Sequence, residues 1–173
     1  MEFTLRPWTF SDLNRLVEIA DNPKIAANLT NRFEYPYTRD CGERFISMAT
    51  SEDPPFVLCI DINGQAAGGI GVHTQTDVYC KNMEMGYWLA EQYWGHGIIT
   101  EAINRMIPYA FDRWDVNRIY AQPYAHNASS IRVLEKAGFK KEGVLKQAVY
   151  KNGEFLDLLM YAILRDDWVN KSS

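Results

Sequence analysis

A strand-like run, Met83-Glu84-Met85-Gly86-Tyr87-Trp88-Leu89-Ala90, enters a turn with glycines two residues apart, Gly95 and Gly97, and a helical pattern begins at once. Ile98, Ile99, Ala102, Ile103, Met106, Ile107 and Ala110 recur at helical spacing. A strand that ends in a glycine turn and restarts as a helix gathers unbonded backbone N–H groups and the positive end of a helix dipole at one point. Anions, phosphates above all, bind there. Gly95 and Gly97 also suit a plain tight turn, because glycine reaches positive φ without a steric penalty. Their position between strand and helix favours the anion site. Two common phosphate motifs are excluded: no G-x-x-x-x-G-K-[ST] occurs, and the place of a third dinucleotide-loop glycine is taken by Thr100.

Around this centre the pattern predicts a mixed α/β domain of the α+β type. Phe3–Arg6 reads as a short strand, and Thr9 or Ser11 can cap a helix from Asp12 to Asp21 with Leu13, Leu16, Val17 and Ala20 on one face. Asn22-Pro23 ends it. The aromatic, proline-broken Phe33–Tyr37 segment is a loop, and Thr38 to Met48 is a helix with Cys41, Phe45 and Met48 at helical spacing. Phe56–Ile62 and Ala66–His73 flank Asn63-Gly64, a strong hairpin signal. The long helix runs to Arg113 with Pro108 inside it, where a kink or split is expected. Arg118–Pro123 is a strand, Ala128–Ala137 a helix stopped by Gly138, and Val144–Lys151 with Phe155–Ile163 a closing hairpin around Asn152-Gly153. Two hairpins enclosing a strand–helix–strand–helix centre imply a mostly antiparallel sheet flanked by helices.

The motif Q-x-x-G-x-G from Gln92 to Gly97, placed after a strand reading E-x-G-Y-W-L, resembles the acetyl-CoA loop of the GNAT N-acetyltransferases. Within that superfamily the chain is most similar to the RimJ/RimL group of ribosomal-protein N-terminal acetyltransferases and spermidine acetyltransferases. Leu5-Arg6-Pro7 with Asp12-Leu13 matches the group's start, Asn127-Ala128-Ser129-Ser130-Ile131 through Phe139 its second cofactor motif, and Glu142-Gly143 with Phe155-Leu156-Asp157 its closing hairpin. The resemblance spans nearly the whole chain and implies one GNAT domain, residues 1–173. It further implies that N–H groups of Gly95, His96, Gly97, Ile98 and Thr100 cradle the pyrophosphate and that Gln92 starts the motif. The strand edge at Trp88 and Leu89 would pair with the pantetheine amides, with Asn127 facing the cofactor arm while it caps a helix. Ser130 matches the position whose hydroxyl faces the departing sulfur. A tyrosine common four residues later in the superfamily is here Leu134.

Glu84 is the first choice of proton acceptor. Strand alternation puts Glu84, Gly86 and Trp88 on one face and Met83, Met85 and Tyr87 on the other. A carboxylate in so apolar a strand calls for a catalytic use, an Arg or Lys partner, or a solvent-facing position. His96 and His126 fall near the cofactor motifs but suit solvated loops equally well.

With 173 residues the chain is one domain's length, and no apolar run approaches ~18 residues, so no membrane span is expected. The N-terminus lacks a signal-peptide pattern, so a cytoplasmic protein is expected. Cys41, Cys59 and Cys80 are odd in number and widely spaced, as expected for reduced, buried thiols with no metal site. A net charge of −4 argues against nucleic acid as a partner.

The function expected is acetyl transfer from acetyl-CoA by direct attack of a primary amine. A free α-amine has pKa ~7.7–8.0 against ~10.4 for a lysine-like amine, so neutralising it at pH 7 costs about 1.0–1.4 rather than about 4.6 kcal/mol. That favours a protein or peptide N-terminus as acceptor, with a polyamine or other small amine as the alternative. A non-catalytic acyl-CoA sensor on the same scaffold is the other alternative, and a homodimer is admitted but not required.

Overall fold

The computed structural model describes residues 1–171. A seven-stranded mixed sheet has the order β1-β2-β3-β4-β5-β7-β6 and is accompanied by six helices among the described residues. The strands are β1 (Thr4–Pro7), β2 (Val57–Ile62), β3 (Gln65–Thr74), β4 (Asn82–Leu89), β5 (Arg118–Ala121), β6 (Lys140–Lys151) and β7 (Glu154–Leu164). The helices are α1 (Leu13–Ala20), α2 (Pro23–Ala26), α3 (Arg39–Ala49), α4 (Ile98–Arg113), α5 (Ala128–Ala137) and α6 (Arg165–Lys171). The β4–β5 pairing is parallel, whereas β1–β2, β2–β3, β5–β7 and β6–β7 are antiparallel. The described residues form two compact units: Met1–Gly71 with Tyr87–Ala102, and Val72–Gly86 with 103–171.

In the first unit α1 and α3 turn Leu13, Leu16, Cys41, Ile46 and Ala49 into a core closed by Trp8, Val57 and Cys59. The Trp8 ring meets Phe45 edge-on at 5.2 Å. Thr38 caps α3 by accepting from the Cys41 N–H, and Thr9, not Ser11, stands at the entry to the turn before α1, accepting the Asp12 N–H through its carbonyl. Met48, expected on the buried face of α3, is 47% exposed, because Ile46 and Ala49 take the core positions instead. The β2–β3 hairpin turns at Asn63 and Gly64 with φ of 55° and 79°, the left-handed pair that a two-residue hairpin of matching twist requires. One guanidinium ties this unit together: Arg6 Nε donates to Asp61 at 2.7 Å, and its two terminal nitrogens donate to the two oxygens of Asp12 at 2.8 Å.

In the second unit Met83 of β4 pairs across from Ile119 of β5, both fully buried, while Glu84 pairs across from Tyr120 on the other face. Helix α4 runs unbroken through Pro108, so the proline costs a ladder bond without splitting the helix. Three differences from the sequence reading lie here. Strand β6 begins at Lys140, ahead of the expected Val144, with Lys140 opposite Ala162 and Lys141 opposite Tyr161. These charged residues suit a solvent-facing strand at the sheet's edge, which reads as loop when judged by hydrophobicity. Helix α6, unforeseen, starts with Asp166 and Asp167 in its first turn, where acidic side chains complement the helix dipole. Cys80, expected buried, is exposed beside a short turn at Asp77–Tyr79, whereas Cys41 and Cys59 are buried as expected.

Candidate active site

The glycine turn lies in the first unit. Strand β4 ends at Leu89, a single turn spans Glu91–Tyr93, and α4 opens at Ile98. Gly95 and Gly97 have φ of 79° and 75°, values that L side chains rarely adopt, and an added Cβ at either would meet nothing within 4 Å. The backbone thus fixes glycine at both positions and leaves free volume above them. Gly97 O accepts from Glu101 N at 3.2 Å, which starts the helical ladder, so the N–H groups of the preceding residues fall outside it. Ile98 is buried and presents only its backbone, whereas Thr100 is half-buried in the first turn. His96 is exposed, with Nδ1 3.3 Å from Tyr93 O.

The strand end that leads into this turn is braced from below. Ala90 N donates to Ala67 O at 2.8 Å, and the Gly68 backbone sits so close to β4 that a Cβ there would lie 2.3 Å from Trp88 O. Trp88 packs its ring against Phe33 at 5.4 Å and against the first unit's core, and the Leu89 side chain is buried. Trp88 is half-buried there, whereas Leu89 keeps its side chain in the interior. Leu89 O also accepts the Trp94 indole N–H at 2.7 Å, a bond the sequence did not suggest. Gln92 is exposed, and the brace is its neighbour: Glu91 accepts from Asn22 Nδ2 at 2.8 Å and pairs with Lys24. Lys24 and Asn22 hold the Glu91 carboxyl below its ordinary range.

The second unit carries Glu84, Asn127 and Ser130. Glu84 is half-buried and, among the described residues, has neither a hydrogen-bond nor an ion-pair partner. The cation on the facing strand, two residues before Glu84's partner Tyr120, is committed elsewhere. Arg118 donates to Asn82 Oδ1 at 3.0 Å, pairs with Glu142, and lies over the Tyr120 ring at 5.0 Å. Burial, together with the Glu84 charge, pushes the Tyr120 hydroxyl above its ordinary pKa, so it stays protonated beside that carboxylate. Tyr120 was not singled out from the sequence, because strand register is not readable there. Asn127 caps α5: its Oδ1 accepts from Ser130 N at 3.2 Å and from Ser129 Oγ at 2.9 Å. Ser130 is half-buried in the first turn of α5.

The β4–β5 register runs from Asn82 to Glu84, and β4 continues to Leu89. The last residue of β4 to face a β5 partner is therefore the unpaired carboxylate, and the same strand runs on into the glycine turn. The acetyltransferase (GNAT) domain model matches residues 2–140. The chain belongs to the GNAT acetyltransferase family. It is 37% identical over 106 residues to YdaF of Bacillus subtilis (strain 168), provisionally named a ribosomal N-acetyltransferase, covering 61% of this chain and 57% of that one. It is 35% identical over 86 residues to the ribosomal-protein-serine acetyltransferase of Escherichia coli (strain K12), covering 50% of this chain and 48% of that one. The match thus spans about half the length of these relatives. A solved ribosomal-protein-alanine N-acetyltransferase from Brucella melitensis is 26% identical, with a TM-score of 0.79, covering 93% of this chain and 99% of that one. No helix among the described residues is long and apolar enough to cross a membrane, and no cluster of three or more His, Cys, Asp or Glu side chains that could hold a metal occurs among them.

Proposed function

We propose that residues 1–173 serve as one cytoplasmic N-acetyltransferase domain that moves acetyl from acetyl-CoA to a primary amine, with a protein or peptide N-terminal α-amine as the favoured acceptor. The observation that carries the reading is Glu84: a half-buried carboxylate without a hydrogen-bond or ion-pair partner among the described residues, on the strand that leads into the glycine turn. Arg118, two residues before Glu84's β5 partner Tyr120, is spent on Asn82 and Glu142, which leaves the carboxylate open to an amine.

The chain's own groups would divide the work as follows. The backbone N–H groups of Gly95 through Thr100 would hold the pyrophosphate at the positive end of α4. The backbone of Trp88 and Leu89 would pair with the pantetheine amides. The amine nitrogen attacks the thioester carbonyl carbon, the C–S bond breaks, and the sulfur leaves as thiolate. Glu84 receives the proton lost by the amine, directly or through a water. A thiol of pKa ~8.5 leaves readily as thiolate, so a hydrogen bond from the Ser130 hydroxyl suffices and no strong acid is required. A single carboxylate suits an α-amine, whose neutralisation at pH 7 costs only about 1.0–1.4 kcal/mol. The names of the relatives, drawn from ribosomal-protein acetylation, support the same acceptor class.

Glu84→Gln tests this reading. Turnover is expected to fall about 10²-fold at pH 7 while acetyl-CoA affinity is retained, and the defect is expected to shrink as pH rises and the amine deprotonates unaided. A pH–rate profile identical to the parent's would return Glu84 to a structural role.

A further inference from the structure

Gly86 is a glycine that neither backbone nor packing explains. It lies inside β4, where glycine weakens a strand and leaves a side-chain position empty. Its φ is not in the left-handed region, and a Cβ built on it meets nothing within 4 Å. In the neighbouring β3, by contrast, glycine has a packing reason: at Gly68 and Gly71 an added Cβ would come within 2.3 Å and 2.8 Å of neighbouring atoms, whereas Gly143 of the edge strand β6 is as open as Gly86 but lies far along the sheet order from β4. Gly86 is exposed in a strand whose Met83 and Met85 are buried, so it shares the opposite face with Glu84. Residues two apart on one strand face stand about 6.5–7 Å apart, the span of a small amino-acid residue. The β4–β5 register ends at Glu84 and Tyr120, so no β5 residue lies in register with Gly86. What the glycine contributes is free volume, immediately beside the unpaired carboxylate.

We propose that Gly86 is the specificity-determining residue for the acceptor: by carrying no side chain it leaves room for the substituent on the amine-bearing carbon, and so sets how large a first residue reaches Glu84. The inference rests on the acetyl-transfer reading and adds to it the shape of the acceptor. Glu84 and Tyr120 bound the volume on one side, and a side chain at position 86 would stand where the substituent lies. Bulky first residues would lose most from such a side chain, and glycine least.

The test is a series, Gly86→Ala and Gly86→Val, assayed for thiol release with peptides identical except for a first residue of Gly, Ser, Leu or Phe. Thermal unfolding and calorimetric titration with acetyl-CoA accompany each variant. Gly86→Val is expected to unfold at or above the parent's temperature and to keep acetyl-CoA affinity within about twofold. Its kcat/KM on Leu- and Phe-first peptides should fall at least about tenfold further than on the Gly-first peptide, with Gly86→Ala intermediate. An equal loss across all four peptides, or no loss on any, overturns the inference. Gly86→Ala adds a single methyl into empty space and keeps the series decisive should the valine variant fold poorly. A parent that releases no thiol with any amine defeats the acetyl-transfer reading itself, whereas an active parent with a flat Gly86→Val profile defeats only the assignment of Gly86.

Discussion

Replacing Arg6 with Met should cost the fold several kcal/mol, about 3–5. The guanidinium donates three hydrogen bonds of 2.7–2.8 Å to Asp12 and Asp61, both buried. Hydrogen bonds to charged groups contribute about 1.5–3 kcal/mol each, but the Arg6 side chain is 29% exposed, so water screens part of that. Removing one partner of a buried ion pair, which strands the other charge, costs about 3–5 kcal/mol, and that is the loss expected for Arg6→Met. Such a loss is a large part of the ~5–15 kcal/mol that holds a typical domain. Urea unfolding followed by tryptophan fluorescence at pH 7 measures it directly. The pH dependence supplies a second reading. Burial pushes the Asp12 carboxyl up, yet the hydrogen bonds from Arg6 and Thr9 outweigh burial and hold it below its ordinary value. A carboxyl lowered in the folded state contributes stability in full above the unfolded value of ~3.9, and that stability is lost as pH falls through the lower folded value. The parent and Arg6→Met curves should therefore stay apart at neutral pH and converge below about pH 4. A loss under about 1 kcal/mol at pH 7, the range of exposed pairs, would show that the Arg6 cluster behaves as a surface pair. A gap between the two proteins that does not close in acid would contradict the dependence on Asp12.

Gly97→Ala should weaken acetyl-CoA binding in calorimetry by about tenfold or more, because it disturbs the turn at the start of α4. Gly64→Ala is the matched control: its φ of 79° imposes the same strain and its Cβ likewise meets nothing within 4 Å, but it lies in the β2–β3 hairpin. It should lose comparable stability, about 1 kcal/mol, without loss of affinity. Equal affinity losses in both variants would remove the glycine turn from the cofactor site. A maleimide should modify one thiol rapidly in the folded protein, Cys80, since Cys41 and Cys59 are buried and burial pushes the Cys59 thiol up to about 12. Rapid modification of a second thiol, read by mass spectrometry, would contradict the burial.

Local signals carried most of the fold. The Asn63-Gly64 pair set the β2–β3 hairpin, Thr38 started α3, and the strand, glycines and helix from Met83 to Arg113 came out in the expected order. The misses share a physical origin, which is that they depend on partners distant in sequence. Lys140 and Lys141 read as loop because their strand identity comes from pairing with β7. Glu91 at the glycine turn is held by Asn22 and Lys24, far along the chain, an anchor that no local pattern signals. Tyr120 escaped notice although it stands opposite Glu84, since periodicity gives a strand's faces but not its register.

Acetyl transfer to an amine, with an α-amine as the favoured acceptor, is decided by one thiol-release assay with two acceptor panels. One panel holds short peptides with free N-termini, each paired with its N-blocked counterpart carrying a free lysine; the other holds small amines, including polyamines and aminoglycosides. Turnover should be faster on at least one free α-amine peptide and absent on its blocked partner, because the α-amine is the less costly to neutralise at pH 7. Preference for a polyamine would contradict the acceptor while leaving acetyl transfer in place. Tight acetyl-CoA binding without thiol release on either panel would contradict the claim outright and leave a sensor on the GNAT scaffold.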